Sequence, residues 1–77
     1  MMNALRRKSL AQALDLLEQA SAIIEEVQTE EQEAYDNLPE SLQNSERGET
    51  MQECADTLSE LLDALSDAQE QIDEIVG

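Results

Sequence analysis

The chain predicts an all-α fold: two long antiparallel helices form a hairpin, and two hairpins pair into a four-helix bundle. Three observations carry that expectation. Apolar residues recur three and four apart through both halves of the sequence. Acidic residues keep the same rhythm, out of phase with the apolar ones, in the second half. A stretch around the single proline, Pro39, interrupts both patterns between the halves. Spacings of three and four stack side chains on one face of an α-helix. The 77 residues make a single domain, with helices over about 5–36 and about 46–76 and a turn over about 37–45.

The first helix is read from Leu10, Ala13, Leu17, Ala20, Ile24, Val27 and Ala34, with Leu14, Leu16 and Ile23 widening the stripe. Pro39 disfavours helical geometry at Leu38, so this helix is expected to end near Asp36. Asn37 or Leu38 then caps a single turn with Pro39 at or near its first position. Ser45 is a natural N-cap for the second helix, with Glu46 favourably placed against the helix dipole. Gly48, inside that first turn, is expected to be a weak point costing about 1 kcal/mol relative to alanine.

The second helix has its own seam in Met51, Ala55, Leu58, Leu62, Leu65, Ile72 and Val76. Beside it runs a further heptad ladder of Cys54, Leu61, Ala68 and Ile75. A two-helix seam uses two positions in seven, so this third apolar position needs a cover. A second copy of the chain is the expected cover, giving a homodimer; a different protein is the alternative. Cys54, between Met51 and Leu58, is expected as a buried structural thiol. A turn centred near residue 41 would set Leu17 opposite Leu65, Ile24 opposite Leu58, and Arg6, Arg7 and Lys8 beside Glu70, Asp73 and Glu74. Tyr35 and Leu38 are expected to plug the turn end. Arg47 is expected to clasp it through Asp36, Glu40 or Glu46.

Acids form the most regular pattern in the chain. Glu49, Asp56, Asp63 and Glu70 repeat every seven residues, as do Glu46, Glu53, Glu60, Asp67 and Glu74. They run two positions out of phase with the seam, about 200° around the helix, and so occupy its opposite face. A solvated helix face usually alternates glutamate with lysine at four-residue spacing. Here Glu49/Glu53, Asp56/Glu60, Asp63/Asp67 and Glu70/Glu74 are like-charged and mildly destabilising. The candidate partner-binding face is therefore Glu49, Glu53, Asp56, Glu60, Asp63, Asp67, Glu70 and Glu74. A plainly solvated face is the other reading.

A net charge of −15 argues against direct binding to nucleic acid or an anionic membrane, both of which would repel the chain. On arms of about 45 Å it amounts to one charge per roughly 3 Å, or per roughly 1.5 Å for two hairpins side by side. Duplex DNA carries one per about 1.7 Å, so mimicry of nucleic acid by a dimer is physically feasible. No histidine is present and Cys54 is the single cysteine, which leaves no disulfide and no zinc set. No acidic loop with a central glycine fits calcium, and a di-iron bundle would need histidine. Ser9, Ser21, Ser41 and Ser45 have no histidine to activate them, and nothing resembles a phosphate loop or a paired-carboxylate cleft. Neither enzyme activity nor a cofactor is expected. The opening Met1 to Lys8 begins like a leader, but Gln12, Asp15 and Glu18 interrupt any apolar run. With no transmembrane stretch and no disulfide, a cytoplasmic protein is expected.

The segment from Asp36 to Glu49, Asp-Asn-Leu-Pro-Glu-Ser-Leu-Gln-Asn-Ser-Glu-Arg-Gly-Glu, resembles the signature of small, acidic, uncharacterised proteins of phages, prophages and Gram-positive bacteria. In those proteins an LPExLQxSER turn joins two amphipathic helices. The resemblance covers about fourteen residues; it implies a helical hairpin of phage origin and supplies no activity. The expected function is that of an interaction protein whose apolar face drives assembly and whose anionic face meets a basic partner. Such a partner would be a host nucleic-acid-binding protein inhibited by charge mimicry. The rival expectation is a structural or assembly homodimer whose acids only keep it in solution.

Overall fold

Asn3 opens the first helix: its side-chain oxygen accepts from the Arg6 backbone N–H at 2.8 Å, satisfying one of the free donors of the first turn. Helix α1 then runs from Ala4 to Asp36, a short helix α2 from Glu40 to Gln43, and helix α3 from Glu46 to Val76. The computed structural model describes residues 3–77. Met1 and Met2, the first residues of the leader-like opening, lie outside the described residues. The long helices match the expected spans closely, and α2 is the single turn expected ahead of α3. Pro39 sits at the N-cap of α2 rather than within it.

The two long helices pack against each other as an antiparallel hairpin with extents of 58 × 16 × 14 Å. On α3 the seam is the one read from the sequence: Met51, Leu58, Leu62, Leu65, Ile72 and Val76 are half-buried and Ala55 is buried. On α1 it departs from that reading. Leu10, Leu17 and Ile24 face inward as expected, but Val27 and Ala34 are exposed while Gln28, Glu31 and Tyr35 are half-buried in their place. The inward face follows residues 10, 17, 24, 31 and 14, 21, 28, 35, which drifts the stripe around the helix toward the turn.

Register differs too. Ser21 accepts a hydrogen bond from the Gln69 side chain at 2.9 Å, whereas a turn centred on residue 41 would set Ser21 opposite Leu61. Eight residues of helix are about 12 Å, farther than these side chains can bridge along the axis. The arms are therefore slid relative to the simple hairpin. The shift carries Glu70, Asp73 and Glu74 away from Arg6, Arg7 and Lys8, so the expected charge pairing across the open end is not made. Residues 4–9 are all exposed, and Leu10 is the first half-buried side chain. Longer staggered arms also account for a long axis of 58 Å where 45 Å was expected.

Among the described residues the buried hydrophobic core is Ala55 alone, 1% exposed. Two helices form one layer contact and cannot enclose a large side chain on all sides, so the seam stays half-buried along its length.

Candidate functional site

Three features of the hairpin are candidates for function: the turn, the acidic edge of α3 and one broad apolar side. The turn is built by backbone contacts. Gln43 donates its side-chain N–H to the Tyr35 carbonyl at 3.1 Å, tying α2 to the end of α1. Ser45 plays the expected cap, its Oγ accepting from the Gly48 N–H at 3.3 Å while donating to the Leu42 carbonyl. Gly48 corrects the sequence expectation. It is buried, and a Cβ there would lie 2.5 Å from the Leu42 carbonyl oxygen and nearer still to that of Gln43. Its φ is not positive, so the requirement for glycine is space rather than conformation. Leu38 and Tyr35 are half-buried at the turn end. Arg47 is exposed, and the closure just described is made by Gln43, Ser45 and Gly48 rather than by an arginine clasp.

The acidic edge lies where the heptad spacing placed it. Glu49, Glu53, Asp56, Glu60, Asp63, Asp67, Glu70 and Glu74 are all exposed on α3. Asp56 accepts a hydrogen bond from Gln52 at 3.0 Å, a neutral i,i+4 contact where a lysine would give an ion pair. Among the described residues no group of three His, Cys, Asp or Glu side chains is placed to hold a metal ion.

The apolar side joins both helices. Cys54 is exposed, which overturns the expectation of a buried thiol. At about 100° per residue it stands about 80° away from the middle of the α3 seam, as do Leu61, Ala68 and Ile75. Leu61 is 46% and Ile75 49% exposed, and Ala68 is half-buried. Helix α1 carries a matching ridge of Leu16, Ala20, Ile23 and Val27, with Leu16 64% and Ile23 63% exposed. Both ridges are turned in the same sense from their seams. Because α3 runs opposite to α1, the two come out on the same broad side of the hairpin. The other broad side is polar, with Glu18, Glu25 and Gln32 on α1 and Ser59, Ser66 and Asp73 on α3. Sequence spacing identified the α3 ridge. It missed the α1 ridge as a separate surface, because Leu16, Ala20, Ile23 and Val27 were read as part of one wide seam. It also missed the polar Ser21–Gln69 layer, whose signal was a serine and a glutamine at inward heptad positions.

These features define an acidic helical hairpin with one side apolar and uncovered. No family model, curated protein or solved structure matches the chain. Among the described residues no helix is long and apolar enough to cross a membrane.

Proposed function

We propose that this chain is a small acidic interaction module that pairs with itself through its apolar side and offers the anionic edge of α3 to a basic partner. The observation that carries the reading is segregation. Exposed Leu16, Ile23, Leu61 and Ile75 share one broad side, while eight exposed carboxylates run along α3 with no cation among them from Glu49 to Glu74. A surface kept soluble by charge alone gains from mixed signs, because opposite charges at i,i+4 stabilise a helix and like charges weaken it. An unmixed edge suits recognition of a basic surface, where complementarity sets encounter rate and specificity. Fifteen net charges over 58 Å give about one per 4 Å in one hairpin and one per 2 Å in a pair, close to the 1.7 Å of duplex DNA. Combined with the phage resemblance of the turn, this supports a host nucleic-acid-binding protein as the partner, held by charge mimicry.

A second reading, a structural or assembly homodimer with solvated acids, draws on the near absence of a buried core among the described residues of the single hairpin. Replacing Asp56, Asp63 and Glu70 with lysine separates the two. The triple variant creates opposite-charge neighbours at i,i+4 and keeps the apolar side, so its helicity and oligomeric state are expected to be maintained. Under the recognition reading, a nucleic-acid-binding protein retained by the immobilised wild type elutes at moderate salt and is not retained by the variant. Equal retention by both, or retention that resists salt, contradicts it and favours the assembly reading.

A further inference from the structure

We infer that two hairpins pair head to tail, with the cationic start of each α1 lying over the acidic turn of the other. This rests on the homodimer reading above and specifies its arrangement. Two copies that bury the same broad side against each other must be related by a two-fold axis lying in the interface. Only two layouts satisfy this: turns at the same end, with α1 over the other copy's α3, or turns at opposite ends, with α1 over α1 and α3 over α3.

Charge selects the second. Twelve of the nineteen acids lie between Glu25 and Glu60, around the turn, whereas Arg6, Arg7 and Lys8 stand together at the open end. Stacking turn on turn brings the two densest acid clusters together and sets six cations against each other. Reversing one hairpin sets cations over acids at both ends. The helix ends point the same way. Arg6, Arg7 and Lys8 occupy the start of α1, where the backbone dipole is already positive, and α1 has no basic residue in its last turn, which holds Glu33 and Asp36. Each end carries charge opposed to its own dipole and suited to the opposite end of another copy.

Shape agrees with charge. The α1 ridge is centred between Ala20 and Ile23 and the α3 ridge between Leu61 and Ala68. Ser21, at the first midpoint, is bonded to Gln69, about 7 Å along the axis from the second, so the two ridges overlap with their centres offset by little more than one helical turn. A two-fold axis at the α1 midpoint sets Leu16 against Val27 and Ala20 against Ile23. Large side chains mostly meet smaller ones, as close helix packing requires. The same axis puts Arg6, Arg7 and Lys8 over the stretch of the other copy that holds Glu33, Asp36 and Glu40.

Single reporters occur naturally: Cys54 is the one thiol and Lys8 the one lysine. Head-to-tail pairing about that axis separates the two Cys54 residues by about 45 Å along the bundle, while turn-to-turn pairing leaves them about 15 Å apart across it. Pulsed electron paramagnetic resonance on the full chain spin-labelled at Cys54 reads that distance. A distribution centred near 45 Å is expected. One well below 20 Å overturns the arrangement while leaving the dimer intact, and absence of dipolar modulation overturns the dimer itself. Because a label at Cys54 sits at the rim of the interface, unlabelled protein gives a second readout. Zero-length carbodiimide coupling in the dimer band is expected to join Lys8 to Glu33 or Glu40 of the other copy. A dimer band in which Lys8 is joined to none of these acids contradicts the head-to-tail layout.

Discussion

The turn and the arms of this hairpin are specified by different means. At the turn, backbone meets backbone: Gly48 packs against the Leu42 and Gln43 carbonyls, Ser45 caps α3, and Gln43 ties α2 to α1. In the arms, half-buried side chains meet along a seam that holds, among the described residues, one buried hydrophobic residue, Ala55, and one cross-helix hydrogen bond, from Gln69 to Ser21. A few residues of fixed geometry decide that the chain folds back, and about thirty residues of half-buried seam hold each arm to the other. That division suits a module whose folding is linked to association, since whatever covers the apolar side stabilises the folded chain by mass action.

The largest expected effect lies in the arms. Substituting Ile23 and Leu61 together by serine removes two large side chains from the proposed interface. The expected loss is about 3–6 kcal/mol of dimer stability per copy, from about 1.5–3 kcal/mol for each buried aliphatic side chain. Thermal melts at several concentrations check this: the wild-type midpoint rises with concentration, and that of the variant is lower and flat. The turn responds to smaller changes. Gly48→Ala gains about 1 kcal/mol in helix propensity but drives a Cβ into two backbone carbonyls that have no rotamer to escape through. The net effect is expected to be a loss of about 1–3 kcal/mol, measured by urea denaturation.

Caps sharpen the contrast between a packed end and a free one. Ser45→Ala is expected to cost about 1 kcal/mol, because that cap lies where α2 and α3 meet. Asn3→Ala removes a bond of the same kind, but residues 4–9 are exposed and free to fray. Its cost is expected to be about 0.5 kcal/mol or less by the same denaturation measurement. The smallest effect is global: self-repulsion of −15 is screened by salt, so the melting midpoint should rise modestly between low and physiological ionic strength. A midpoint that falls with added salt would show that the charges attract on balance.

How much was legible in the sequence follows the same division. The boundaries of α1 and α3, the Ser45 cap and the extra turn after Pro39 were readable because each depends on local chemistry within a few residues. The α3 seam was readable because seven apolar residues keep one phase over four heptads. Gly48 was misread because helix propensity speaks only of its own helix. The demand for glycine comes from the carbonyls of Leu42 and Gln43 packing against it. The drift of the α1 stripe and the register were not readable: an uninterrupted apolar swath leaves several inward faces nearly equivalent. The polar pair Ser21–Gln69 carries register information only once both helices are placed. Cys54 was misassigned for a related reason, since a residue about 80° from the seam is core in a bundle and surface in a hairpin. The acidic edge was legible in full as a pattern, and spacing alone names no partner for it.

On the proposed pairing, the single hairpin is half of the folded unit. Sedimentation equilibrium at physiological salt, over a hundredfold range of concentration, tests it most directly. The expected result is a species of twice 8.6 kDa that dissociates only with loss of helicity. A helical species of 8.6 kDa across the whole range would contradict it, and would mean that a seam around Ala55 suffices to hold the fold.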